Sequence, residues 1–165
     1  HMRGENGELA ASALELPQPA EFDMGGGGLY STAGDYVRFL RMLLNKGQLE
    51  GRRVLEADTV TRMSSNQIGD LNVPSVKSAN RQFSNDMLLP DIPHKWGLGF
   101  MINTEALGTG RPAGSLMWAG LTNCYYWVDP TTEIAGVILM QILPFADVKA
   151  MPLFLEFEHT VYQKL

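Results

Sequence analysis

Residues 115–142 read SLMWAGLTNCYYWVDPTTEIAGVILMQI, and their reading decides the fold. Aromatic and β-branched residues crowd into three runs, 115–120, 124–128 and 134–142, a composition suited to the pleated, half-buried surface of a strand. Asp129-Pro130-Thr131-Thr132 separates the last two runs. Proline presets φ there and the aspartate can bond the backbone ahead of it, so those two runs are expected to form a hairpin. Residues 96–104 have the same character and add a further strand. The expectation is one antiparallel sheet spanning residues 96–142, with Trp118-Ala119-Gly120 on a strand.

Outward from the sheet the period changes. Tyr36, Val37, Leu40, Leu43 and Leu44 recur at steps of three and four, the spacing of one apolar helix stripe. Thr32 stands where an N-cap belongs, Asp35 lies near the positive helix end, and Lys46-Gly47 supplies a stop signal. A shorter helix is expected over residues 57–64, with Val60 and Met63 inward. Residues 65–95 hold Asn, Ser, Asp and three prolines without a period, and a loop of that length points to a functional segment. Leu153, Phe154, Phe157, Val161 and Tyr162 return to helical spacing, and Pro152 fits only near that helix's first turn. Residues 3–24 show no sustained period and read as an extended or loop segment. The fold class expected is α+β, an antiparallel sheet with flanking helices in a single domain.

Composition narrows the function. A chain of 165 residues with 45% hydrophobic and 19% charged residues suffices for one compact core. The net charge of -5 and the absence of any Lys/Arg run remove the footprint of a nucleic-acid binder. One cysteine, Cys124, excludes an internal disulfide and a multi-cysteine metal site. No apolar stretch approaches the roughly 20 residues of a membrane span, residues 134–143 being the longest and containing Gln141. His1-Met2 reads as a tag remnant, leaving residues 3–165 as the domain.

Isolated chemical signals are weak. Gly25-Gly26-Gly27-Gly28 precedes a helix, but Leu29-Tyr30 follows where a phosphate loop needs Lys and then Ser or Thr. These glycines are read as permitting close packing or positive φ. His1, His94 and His159 are not spaced as metal ligands, so no metal and no cofactor is expected. His94 reads as a loop residue beside Pro93 and Lys95, His159 as a surface or capping group, and Cys124 as a small core hydrophobe.

Together, four segments carry more. Gly27 to Leu40 (GGLYSTAGDYVRFL), Trp96-Gly97-Leu98-Gly99-Phe100, Trp118-Ala119-Gly120 and Trp127-Val128-Asp129-Pro130 resemble, in order and spacing, the C-terminal half of the class C beta-lactamase-related serine hydrolases. The resemblance covers nearly all of residues 20–165 and implies a partial beta-lactamase/transpeptidase-like fold. It places Trp118-Ala119-Gly120 at the Lys-Thr-Gly-type triplet facing the substrate. It makes the N–H of Leu121 one of two oxyanion donors, a role that suits an N–H held beside a rigid strand. That N–H is expected to be free of the ladder, in a groove lined by Trp118 and part of the 65–95 loop. Trp118 replaces the cationic or hydroxyl side chain of beta-lactamases, which favours an ester or small-peptide substrate; its other reading is an aromatic strand residue in the core.

One departure bears on activity. Members of that family use the serine of Ser-x-x-Lys, activated by the lysine and by the tyrosine of Tyr-x-Asn, because a free serine is a weak nucleophile at neutral pH. No serine here has Lys three positions on, and no tyrosine has Asn two positions on. Both motifs are expected upstream of residue 1, so the chain is expected to be an inactive C-terminal portion of an enzyme acting on an ester, amide or lactam through an acyl-serine. Its partner would be the missing N-terminal half, and an apolar face left uncovered would favour self-association. The alternative is a non-catalytic binding or structural protein of the same fold.

Overall fold

The computed structural model describes residues 1–15, 19 and 21–165. Two small ladders, β1 (Met2–Arg3) with β2 (Leu9–Ala10) and β3 (Gln48–Leu49) with β4 (Arg52–Arg53), flank the main elements. Those elements are helix α1 (Ala33–Leu44), helix α2 (Ala57–Met63), the strands β5 (His94–Trp96), β6 (Met101–Asn103), β7 (Leu116–Gly120), β8 (Cys124–Asp129) and β9 (Ile134–Ile138), and helix α3 (Ala150–Tyr162). The five long-range strands form one antiparallel sheet in sequence order. The α+β arrangement is the expected one.

Local signals act where they were read. Thr32 caps α1, its Oγ1 accepting from Asp35 N–H at 3.2 Å and donating to the Asp35 carboxylate at 2.9 Å. Asp129 Oδ1 accepts from the N–H of Thr131 and Thr132, closing the β8–β9 hairpin. One strand differs. The run 96–104 is a hairpin, β5 and β6, because Gly99 turns the chain at φ +95° and Gly97 lies so close to α2 that a Cβ would stand 2.0 Å from Met63 O. Leu98 N–H donates to that same carbonyl.

One difference concerns the N-terminus. Part of the 3–24 stretch, residues 16–18 and 20, lies outside the described residues; its beginning contains β1 and β2 rather than loop alone. His1 and Met2 run beside Leu143, whose N–H donates to His1 O at 2.9 Å.

The sheet has an apolar layer on each side. On one, Leu40 and Leu43 of α1 meet Phe100, Ile102, Leu116 and Val128. On the other, Tyr125, Trp127 and Phe154 form the centre of the α3 layer. Trp127 lies flat over Gly136, its ladder partner, where a Cβ would stand 2.1 Å from the indole. Asp147 joins the layers at their end: its carboxylate receives the Arg3 guanidinium as a fork (2.5 and 3.0 Å) and accepts from the N–H of Lys149 and Ala150, holding the start of α3.

Gly136→Ala should cost about 1–3 kcal/mol by overpacking against the pinned indole, whereas Gly108→Ala, where a Cβ meets nothing within 4 Å, should stay within about 0.5 kcal/mol. Urea unfolding of the two variants against the parent chain measures both.

Asp147 sets an acid limb. Burial works to raise its pKa, but the hydrogen bonds from Arg3, Ala150 N–H and Lys149 N–H outweigh it and hold the carboxyl below its ordinary value. A carboxyl lowered by folding stabilises the native state above the unfolded pKa of about 3.9, and that stabilisation disappears as pH falls through the folded pKa. The urea midpoint of the chain should therefore drop as pH is taken below about 4. Asp147→Asn should lower the midpoint at pH 7 and flatten the fall at acid pH.

Candidate active site

A strand spends its N–H and C=O groups on its neighbours, so a free backbone donor is to be sought where a ladder ends. The β7–β8 ladder ends at the pair Gly120–Cys124, and residues 121–123 make the turn beyond it. Asn123 N–H closes this turn on Gly120 O at 3.0 Å. Leu121 is 54% exposed, and among the described residues its N–H has no acceptor. Gly120 is exposed as well, and a Cβ there would meet only Cys124 Cβ, at 3.6 Å. The backbone at 120–121 is open to a molecule arriving from solvent.

Alternation along β7 sorts the triplet's side chains. Trp118 pairs with Tyr126 in the ladder and stands on the α1 side, half-buried. Its ring meets Trp96 edge to face, with centroids 4.5 Å apart and planes at 85°. Tyr126 in turn meets Tyr36 of α1 at 5.3 Å and Phe100 at 6.3 Å, so Trp118 borders an aromatic group drawn from four elements and the β5–β6 turn. Burial raises the phenol pKa of both Tyr36 and Tyr126, keeping them neutral. Ala119 points the other way, into the layer of Tyr125 and Phe154. Its methyl group therefore lies in that layer, a difference from Trp118 that the triplet reading did not make.

The 65–95 loop reaches this region through β5. Gln67 N–H donates to Trp96 O, and Lys95 Nζ donates to Gly69 O and Leu71 O at 3.0 and 2.9 Å. Two surface recesses, about 340 Å³ beside Leu44 and Gly51 and about 270 Å³ between Ser12, Leu14, Thr122 and Gln141, are formed elsewhere, and neither is lined by Trp118.

The other candidates fall into structural places. His94 is buried in β5 with Nδ1 2.9 Å from Ile92 O; burial and the charge of Arg111 keep its imidazole below its ordinary pKa. His159 bridges Thr109 O and Gln163. Cys124 is half-buried rather than a core residue, its thiol donating to Met140 O at 3.1 Å. Of the four glycines, Gly28 has positive φ (+90°), but Gly25 and Gly26 have nothing within 4 Å of a Cβ, so close packing is not their role. Among the described residues no group of three His, Cys, Asp or Glu is placed to hold a metal ion.

Asn123 was not singled out from sequence, yet it is completely buried beside Leu121. Its φ of +61° is the conformation that Asn tolerates better than most residues, and an Asn directly before a strand, in the short turn between two, was the available signal.

The beta-lactamase family model matches residues 1–157. An uncharacterized protein of Mycobacterium tuberculosis is 31% identical over 141 residues, 80% of this chain and 32% of that protein. The monacolin J acid methylbutanoyltransferase of Aspergillus terreus is 27% identical over 145 residues, 84% of this chain and 34% of that protein. The chain thus spans about a third of the length of these curated relatives. Among solved structures, unliganded simvastatin synthase (LovD) from Aspergillus terreus superposes on 99% of this chain and 40% of its own, with TM-score 0.79 and 25% identity. A beta-lactamase-fold structure from Bacteroides dorei covers 93% of this chain and 46% of its own at TM-score 0.58 and 21% identity. On the order and spacing of its motifs, its sheet and these matches, the chain belongs to the beta-lactamase family.

Proposed function

We propose that the chain forms one wall of an acyl-transfer site, in which an ester, amide or lactam is opened through an acyl-serine and the acyl group passes to water or to another acceptor. The observation that carries this reading is the exposed Leu121 N–H, without an acceptor among the described residues, at the end of the strand bearing Trp118. An N–H fixed at a strand end stabilises the negative charge that develops on a carbonyl oxygen, and it does so without reorganising. Trp118, an aromatic in place of a cation, suits an uncharged acyl group better than the carboxylate of a beta-lactam. Acyl transfer among the relatives, as in the methylbutanoyltransferase, supports the same chemistry.

The nucleophile and its base are assigned to a separate segment carrying Ser-x-x-Lys and Tyr-x-Asn. Support comes from the length of the relatives and from α3, where Leu153, Leu155 and Phe157 are exposed while Glu158 is buried. Exposed apolar residues on a helix invite a cover, from that segment or from a second copy of the chain. The second reading, a non-catalytic binding protein, is favoured by the lack of both motifs within the chain. The sequence preceding Arg3 in the encoding gene discriminates: both motifs in order support the enzyme, and their absence supports the binding protein.

The 165-residue chain alone should form no acyl adduct with p-nitrophenyl acetate or a chromogenic cephalosporin, as read by intact mass and by turnover. A stoichiometric adduct on Ser31, Ser64 or Ser115 would show that the nucleophile lies within the chain. Co-expression with the segment that carries the two motifs should restore turnover. Leu121→Pro, which deletes one N–H, should then lower kcat about 10²–10³-fold, the effect of losing one oxyanion donor.

A further inference from the structure

Leu121 lies between residues that are tied down. On its C-terminal side Thr122 O accepts from Ile142 N–H at 3.2 Å, and Asn123 N–H is bound to Gly120 O. The Asn123 side chain, completely buried, makes four further hydrogen bonds. Its Nδ2 donates to Ile142 O at 2.7 Å and Pro144 O at 2.8 Å; its Oδ1 accepts from the Tyr125 hydroxyl at 2.6 Å and Asp147 N–H at 3.1 Å. An amide side chain has two N–H donors and an oxygen with two lone pairs, so every position is filled.

A tight hairpin turn closes by its own backbone and needs no such anchor. This one is fastened to a segment about 20 residues further along, at the point where Asp147 is gripped by Arg3 and begins α3. We propose that Asn123 is a positioning residue: its carboxamide holds the 120–123 turn rigid and thereby aims the Leu121 N–H. The inference rests on the reading of Leu121 as an oxyanion donor, a role in which a donor works only if its direction is fixed beforehand. No other side chain of this size serves. Aspartate would set a carboxylate oxygen against two carbonyls, leucine would leave all four partners unsatisfied in the interior, and most residues other than Asn and Gly are strained at φ +61°.

The test uses the ¹⁵N-labelled chain, two variants of the turn and one control variant. Asn123→Gly keeps the positive-φ backbone and removes the carboxamide. Tyr125→Phe removes a single hydrogen bond and keeps the ring that stacks on Phe154 at 4.8 Å. Backbone order parameters should fall at Leu121 and Thr122 from about 0.85 to below about 0.6 in Asn123→Gly, with the amides of Trp127 and Gly136 unchanged. Tyr125→Phe should give a smaller fall at the same two amides, and it decides the matter if Asn123→Gly does not fold. Val60→Ala, a core truncation distant in sequence, controls for lost stability and should leave the turn rigid. An unchanged Leu121 order parameter in the folded carboxamide variant, or in Tyr125→Phe when only that variant folds, overturns the proposal; so does equal loosening in Val60→Ala. In the co-expressed, active assembly, Asn123→Gly should lower kcat about 10- to 100-fold with KM unchanged, less than loss of the donor itself. A loosened turn with unchanged kcat would instead overturn the oxyanion reading of Leu121 while leaving the role of Asn123 in the turn intact.

Discussion

Sheet and closing helix meet around Trp127. It is completely buried, and it lies where the backbone of Gly136 leaves no room for any Cβ. Phe154, Phe157 and Tyr162 of α3 close over it with ring centroids 6.0, 5.5 and 6.5 Å away. Burial of an indole removes on the order of 150–250 Å² from water, worth roughly 4–6 kcal/mol at about 25 cal/mol per Å². Its polar end is equally constrained. The Nε1–H donates to the Tyr162 hydroxyl, which donates to Asp129 Oδ2, and the same carboxylate shapes the β8–β9 turn. A single chain of contacts thus sets the register of β9 on β8 and the placement of α3 on both.

A buried ion pair fixes how α3 is rotated. Arg111 Nη1 stands 3.4 Å from Glu158 Oε2, with both side chains almost wholly excluded from water, and Thr109 donates to the other carboxylate oxygen at 2.5 Å. Such a pair gains little net stability, because desolvation of both charges offsets their attraction. It does select a rotation, since turning Glu158 outward would strand Arg111. The consequence is a helix that buries Phe154 and Glu158, leaves Leu153 and Leu155 exposed, and sets Phe157 at the border, its ring against Trp127 and 37% exposed. Hydrophobic periodicity does not mark Glu158 as inward; the 3.6-residue period is visible in sequence, but its phase depends on an arginine 47 residues away.

The same division between near and distant causes runs through the fold and the candidate site. Thr32 capping α1 and Asp129 shaping its turn act within three residues and were legible from the sequence. The β5–β6 hairpin was not, because residues 96–104 are as apolar in the turn as in the strands, and only Gly97 and Gly99 hinted at the break. Trp118, Gly120 and Leu121 were singled out through the motif order, and the placement of Trp118 on the α1 side and Ala119 on the α3 side follows from strand alternation once the register is known. The grip on Asn123 was out of reach: its partners Ile142, Pro144 and Asp147 lie 19 to 24 residues on and are ordinary in composition.

Why the proposed donor sits in a turn follows from the sheet itself. A strand is the most rigid place to mount a group, but β7 is paired with β8 along its whole length and with β6 at Leu116 and Met117, and a donor satisfied by a neighbour is unavailable to substrate. An unpaired donor therefore appears where the ladder stops, after Gly120, and there the ladder no longer supplies stiffness. Stiffness must come from side-chain bonds, and those need a site protected from water to hold against competition. Asn123 meets both needs by burying its amide between the turn and the start of α3 while leaving Leu121 outside. Openness at one residue and complete burial at the next but one are two sides of one requirement, and the docking of α3 through Trp127 and Asp147 is what lets a surface turn borrow the rigidity of the core.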